Sequence, residues 1–253
     1  MHPPDTRQPL RGKTAVVTGG SNGIGAATVA ALAAEGAQLV IGYHQGEERA
    51  EALRASLPGT HHRIARLPLD DTATHAALAK SLEQDHGQVD VLVNCAGYTT
   101  RIPHDDLERL DSGLFNEVLL ANAGGTYSIM RALMPLLRRS NDATVVSVSS
   151  VAAFTGSGSN IAYCAAKAAI DTMTLSLARA FGPQVRFLCV SPASVSTGFV
   201  PGRSLDDVRK KGEATPLGRA VTPEDVALAV VGCITHLRTA TGTRIVIDGG
   251  FTL

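Results

Sequence analysis

Short apolar, β-branched runs alternate along this chain with longer stretches of helical period. "TAVVT" (14–18), "QLVIG" (38–42), "IARLPL" (64–69), "VDVLVN" (89–94), "ATVVSVSS" (143–150), "VRFLCVS" (185–191) and "RIVID" (244–248) read as seven strands. Helices are expected between them at 23–35, 47–57, 74–87, 106–139 and 162–181. Strands that are apolar throughout, each followed by a helix, predict an α/β fold with a parallel sheet covered on both faces.

One stretch breaks the pattern. Residues 194–222 are polar and charged, carry four glycines and show no strand. A segment this long in a compact domain reads as a lid or binding loop. A helix restarts at "VTPEDVA" (221–227), with Thr222 as N-cap and Pro223 at the first helical position. No Pro/Gly-rich linker divides the chain, so 12–253 reads as one domain. Residues 1–11 read as a short polar tail without the apolar core of a signal peptide.

Composition narrows the function classes. Of 253 residues, 44% are hydrophobic, and 23 Lys+Arg balance 23 Asp+Glu. That balance offers no basic stripe for nucleic acid and no patch for acidic membranes. The apolar runs fall far short of a membrane span. Cys95, Cys164, Cys189 and Cys233 are scattered, as expected for reduced thiols in a cytoplasmic protein. His61 and His62 lack ligand spacing and read as a solvated loop, so no metal is expected.

Chemistry enters first at "TGGSNGIG" (18–25), which ends a strand and opens a helix. Gly19, Gly23 and Gly25, with Ser21, Asn22 and Ile24 between them, suit a phosphate-binding turn at a helix N-terminus. A tight strand-to-helix turn alone would look similar; the context favours a nucleotide. The ribose contact is expected at the second strand's tip, where Tyr43 and His44 stand and no carboxylate does. The missing acid favours NADP(H), with His44 and Arg49 as the nearby positive candidates; NAD(H) is the alternative.

The second centre is "YCAAK" (163–167). Four residues apart on an alanine-rich helix, Tyr163 and Lys167 project from one face. Ionising a phenol of pKa about 10 at neutral pH costs roughly 4 kcal/mol. A cation about 5 Å away at an effective dielectric of about 20 returns roughly 3 kcal/mol. The pair is therefore either a tuned acid–base or a solvated helix face.

Taken in order, "TGGSNGIG", "LDD" (69–71), "NCAG" (94–97), Asn122, "VSVSS" (146–150), "YCAAK", "SPASVSTG" (191–198) and "IVIDGG" (245–250) resemble the short-chain dehydrogenase/reductase family over nearly the whole chain. The resemblance implies a single seven-stranded Rossmann domain. It implies that Tyr163 exchanges the proton and that Ser150 stabilises the substrate oxygen. Lys167 would bind the nicotinamide ribose and lower the tyrosine pKa, and Asn122 would hold a relay water. Asn94, Ala96 and Gly97 would bring a strand end to the cofactor, Asp70 or Asp71 would meet the adenine side, and Pro192, Val195 and Thr197 would face the carboxamide. Taken alone, Asn122 reads equally as a helix residue back-bonded to the backbone, and Asp70 or Asp71 as a helix cap. Two departures stand out. Ala193 replaces the family's usual glycine, which either reshapes the nicotinamide-side loop or narrows the pocket. Asn22 stands where NADP-preferring members often carry a basic residue.

The reading is an NAD(P)(H)-dependent oxidoreductase acting on a ketone or secondary alcohol, with a non-catalytic NAD(P)-binding regulator as the rival. The nearest resemblances are to 3-oxoacyl-carrier-protein reductases and to sugar or small-alcohol dehydrogenases. Ala152, Asn160, Ala193, Ser194 and Phe199, with Ser150, are the expected substrate walls. The partner expected beyond a small molecule is the chain itself, as a homotetramer packed through 106–139 and 162–181.

Overall fold

A computed structural model describes residues 8–253. Seven parallel strands stand in the order β3-β2-β1-β4-β5-β6-β7. They are β1 Thr14–Thr18, β2 Gln38–Tyr43, β3 Arg63–Arg66, β4 Val91–Asn94, β5 Ala143–Val148, β6 Val185–Pro192 and β7 Thr243–Ile247. The helices are α1 Gly23–Ala34, α2 Glu47–Ser56, α3 Thr72–Asp85, α4 Ser112–Leu119, α5 Gly125–Leu137, α6 Ala152–Thr155, α7 Ile161–Phe181, α8 Leu205–Glu213 and α9 Pro223–Thr235.

Strand alternation divides the core into two. Val17, Val91, Val93 and Val146 face one side, against Val29 and Leu32 of α1 and Val226 and Val230 of α9. Val16, Leu92 and Val145 face the other, against Leu78 and Leu82 of α3 and Ile129 and Leu133 of α5. Side chains alternate across a strand, so a continuous apolar run feeds both cores. The chain order reverses between β1 and β4. The carboxyl ends of those strands open the crevice where ligands of such sheets bind.

The structure redraws several expected elements. The helix expected at 106–139 begins only at Ser112, capped by Asp111, and a π-helical turn, Leu120–Gly124, separates α4 from α5. The 194–222 segment is not all loop: Ser204 caps α8 within it, and Val195 bridges Val221. The brief helix α6 has too few residues to show a period. The tail expected at 1–11 lies partly outside the described residues, but Leu10 is buried in the core and its N–H donates to the Glu35 carbonyl at 2.9 Å. His62 is not simply solvated: its Nδ1 accepts from the Leu39 N–H at 3.1 Å and its Nε2 bonds the Pro58 carbonyl.

Candidate active site

A cleft of about 970 Å³ runs along the carboxyl ends of β1, β4, β5 and β6. Its nucleotide end is built by close backbone packing. Gly19 has φ +63°, and a Cβ there would stand 2.8 Å from the Ala96 Cα. A Cβ on Gly25 would run into the Gly19 carbonyl oxygen. Only glycine fits both places, so loop and helix close into a turn with no side chains between the backbone and a ligand. Asn22 caps α1, its Oδ1 accepting from Gly23 N–H at 2.8 Å. The remaining free N–H groups at that helix start face the crevice, where an anion is favoured. Thr18 Oγ1 accepts from both the Cys95 and Ala96 N–H groups at 3.1 Å, which ties the end of β4 to this loop. The cradle and its free N–H groups fit a dinucleotide pyrophosphate.

The reactive end lies where β5 meets α7. Asn160 caps α7, its Oδ1 accepting from the Tyr163 N–H at 2.7 Å. Tyr163 and Lys167 share one face of the helix, with the Lys167 Nζ 5.5 Å from the phenol ring centroid. Lys167 is 4% exposed and donates to the Val148 carbonyl at 2.8 Å. Burial pulls its pKa down to about 8, partly offset by Cys95, Cys189 and Asp171. Ser150 Oγ accepts from the Ala152 N–H at 3.1 Å, which leaves its own proton free to donate.

The phenol departs from expectation. Burial pushes the Tyr163 pKa up, while a hydrogen bond with Ser150 and the charge of Arg203 draw it back. Lysine was expected to lower it. Desolvation of the phenol outweighs nearby charge, and the Lys167 ammonium donates to the Val148 carbonyl.

Most expected residues come together on the cleft wall: Gly19, Ser21, Asn22, Gly23, Ile24, Gly25, Tyr43, His44, Asp70, Ala96, Gly97, Ser150, Ala152, Tyr163, Lys167, Pro192, Ala193, Ser194, Val195, Thr197 and Phe199. Four do not. Asn122 is fully buried in the π turn; it donates to the Tyr98 and Val118 carbonyls and accepts from the Tyr98 N–H, so its side chain is a structural clamp. Asn160 spends its amide on the Tyr163 N–H, Thr100 carbonyl and Thr99 hydroxyl, and lies behind the wall. Asp71 caps α3 through the Ala73 and Thr74 N–H groups and borders a shallow side pocket. Asn94 is buried in the sheet, donating to Ser147 Oγ. For Asn122, Asn160 and Asp71 backbone groups took the polar side chain first, and for Asn94 a neighbouring strand's hydroxyl did.

Ala193 takes no positive φ; non-glycine residues do so only at His61 among the described residues. Its N–H donates to the Ile247 carbonyl, so alanine is accommodated without strain. The sequence reading missed Tyr98 and Glu117 on the cleft wall and reached Arg203 only as one basic residue of the 194–222 segment. Arg203 sits in the 194–222 segment, which shows no periodic signal, and its position in space marks it as part of the wall.

This geometry defines a class: a nucleotide-binding α/β enzyme fold with a serine–tyrosine–lysine cleft. Residues 19–252 match the family model described as enoyl-(acyl carrier protein) reductase. The chain is 36% identical over 241 residues to a ketoacyl reductase ascribed to the granaticin polyketide synthase of Streptomyces violaceoruber, covering 93% of this chain and 94% of that one. It is 33% identical to L-fucose dehydrogenase of Bos taurus, over 94% of this chain and 89% of that one. A short chain dehydrogenase from Burkholderia cenocepacia solved in complex with NADP superposes with a TM-score of 0.86 at 30% identity, over 96% of this chain and 99% of that one. The chain belongs to the short-chain dehydrogenase/reductase family, whose members are NAD(P)-dependent oxidoreductases of ketones and alcohols.

Proposed function

We propose that this enzyme uses NADP(H) to interconvert a small ketone and its secondary alcohol, with Tyr163 as the proton-transferring group. The observation that carries the reading is the convergence of Ser150 and Tyr163 at one end of a cleft whose other end is a glycine cradle. A bound nicotinamide supplies or accepts the hydride. Burial keeps the phenol protonated at neutral pH, ready to donate to the oxygen of a ketone. Ser150 donates its hydroxyl hydrogen to the same oxygen and stabilises the charge that develops there. Lys167 keeps two N–H donors beyond the one given to Val148, suited to ribose hydroxyls.

The preference for NADP(H) rests on Arg49. A Cβ placed on Gly46 would stand 2.6 Å from its Nη2 and 3.0 Å from Ser21 Oγ, so guanidinium and hydroxyl meet at the adenosine end. Glu47, the first acid after β2, acts on the Tyr43 phenol, chiefly through its charge. Arg49 has no carboxylate within 4.0 Å among the described residues, as a 2′-phosphate reader requires. Fluorescence titration with NADPH and NADH tests this. Arg49→Ala is expected to weaken NADPH roughly tenfold and leave NADH alone; equal losses would move the ribose contact to Tyr43 or the backbone.

The same reading makes 194–222 a substrate lid, and Leu120, Tyr127 and Leu175, exposed along the long helices, the contacts of a homotetramer. A monomer by light scattering at micromolar concentration would remove that assembly. No helix among the described residues is long and apolar enough to cross a membrane.

A further inference from the structure

Beyond the pull of its charge on the Tyr163 phenol, Arg203 has no part in the chemistry described so far, yet its place is closely specified. It follows the turn Val200–Gly202, with its N–H bonded to the Val200 carbonyl, and precedes Ser204, the cap of α8. Turn and cap hold its backbone from both sides. Its half-buried side chain reaches into the cleft, where it joins Ser194, Phe199 and Tyr163 on the wall. Its Nη1 donates to Ser194 Oγ at 3.3 Å.

Its charge is left over. Arg209, Lys210 and Arg219, from the same segment, each pair with a carboxylate, whereas Arg203 has none within 4.0 Å among the described residues. Arg101, from the loop after β4, is also unpaired by that measure and acts on Arg203 as a like charge, while Asp207 of α8 acts on it as an opposite charge without pairing with it. A guanidinium cannot discard its proton, so burying it beside another cation costs free energy until an anion arrives. Its fork of donors matches the two oxygens of a carboxylate or the face of a phosphate.

We infer that Arg203 and Ser194 form an anion subsite in the lid, so that the natural substrate is a ketone or alcohol bearing a carboxylate or phosphate. The inference uses the oxidoreductase reading for the position of the reacting carbon; the anion contact itself does not depend on turnover. Arg203 lies near enough to Tyr163 for its charge to act on the phenol, so an anion held there anchors a molecule whose oxygen lies at Ser150. Phe199 and Val200 line the intervening wall, which suits an apolar carbon spacer.

The test uses charged and neutral pairs: acetoacetate, levulinate and 4-oxocyclohexanecarboxylate against their methyl esters, and dihydroxyacetone phosphate against dihydroxyacetone. Binding is read by calorimetry on the NADP-loaded full chain, and turnover by loss of NADPH absorbance. The expected result is that at least one anion binds more tightly than its neutral partner. In Arg203→Gln that ratio falls roughly 10- to 100-fold, mostly in KM, and Arg203→Lys recovers part of it. Which pair shows the effect separates carboxylate from phosphate. Unchanged NADPH affinity in Arg203→Gln establishes that the lid variant is folded, and Arg101→Gln is expected to show a smaller loss of the same ratio. Wild-type protein that binds no anion better than its neutral partner overturns the subsite. So does an equal loss for charged and neutral partners, which would make Arg203 an electrostatic support of Tyr163. Anion binding without turnover of any ketone would keep the subsite and defeat the oxidoreductase reading; turnover of neutral ketones alone would do the reverse.

Discussion

The two walls of the cleft are held by different physics. The β5–α7 wall is pinned from inside: Lys167 to the Val148 carbonyl, Asn160 to the Tyr163 N–H, and Asn122 to both backbone groups of Tyr98. All three side chains are buried, where an unmade hydrogen bond is costly and a made one is sharply directional. The 194–222 segment is held largely from outside. Its ion pairs, Arg209 with Asp206 and Glu213 and Lys210 with Asp206, are solvent-exposed and of the kind that contributes little. Its inner ties are the Val195–Val221 bridge and Gly212, where a Cβ would collide with Ala220. The contrast separates a wall that must hold a proton donor in one place from a wall that selects what lies against it.

Removing the phenol should produce the largest effect. Tyr163→Phe is expected to lower kcat by roughly 10²–10⁴-fold with NADPH affinity retained; full turnover would take the chemistry away from this wall.

The buried lysine comes next. Its folded pKa, about 8, lies below the ordinary lysine value of 10.5. Below about pH 8 both folded and unfolded chains hold the proton, and the folded state carries the whole burial penalty, of order 3 kcal/mol. Between the two values the unfolded chain binds more protons, so stability rises with pH in that window. Urea unfolding of wild type and Lys167→Met from pH 7 to 10.5 should show wild type gaining relative to the variant. A pH-independent difference would mean that the lysine is solvated.

The smaller effects compare helix caps on the two walls. Asn160→Ala removes a buried cap with three bonds and should cost about 2 kcal/mol and lower kcat as Tyr163 shifts. Ser204→Ala removes the exposed cap of α8 and should cost about 0.5–1 kcal/mol, with its kinetic effect in KM. Equal costs and equal kinetic signatures would erase the distinction between the walls.

Much of the wall was legible along the chain because its residues are close in sequence or recur at fixed periods. Tyr163 and Lys167 are one helical turn apart, and the glycine turn follows a strand that announces itself. The polar residues were harder. Asn122, Asn160, Asp71 and Asn94 have donors and acceptors that suit a ligand and a backbone equally well, and the choice depends on which partner the fold brings first. Arg203 stood out only as one of several basic residues of a segment expected to line the site, because an arginine in a polar segment looks solvated until its surroundings are known.

The order of apolar runs and helical periods by itself determined the doubly wound sheet, since continuous apolar strands need cover on both faces. It also determined the glycine cradle and the shared face of Tyr163 and Lys167, which depend only on local geometry. Tertiary structure alone decided the protonation of that pair, because desolvation depends on everything packed around a group rather than on its neighbours in the chain. It also decided the π turn that clamps Asn122 and the unpaired charge of Arg203, both of which arise from segments that meet only when the chain is folded.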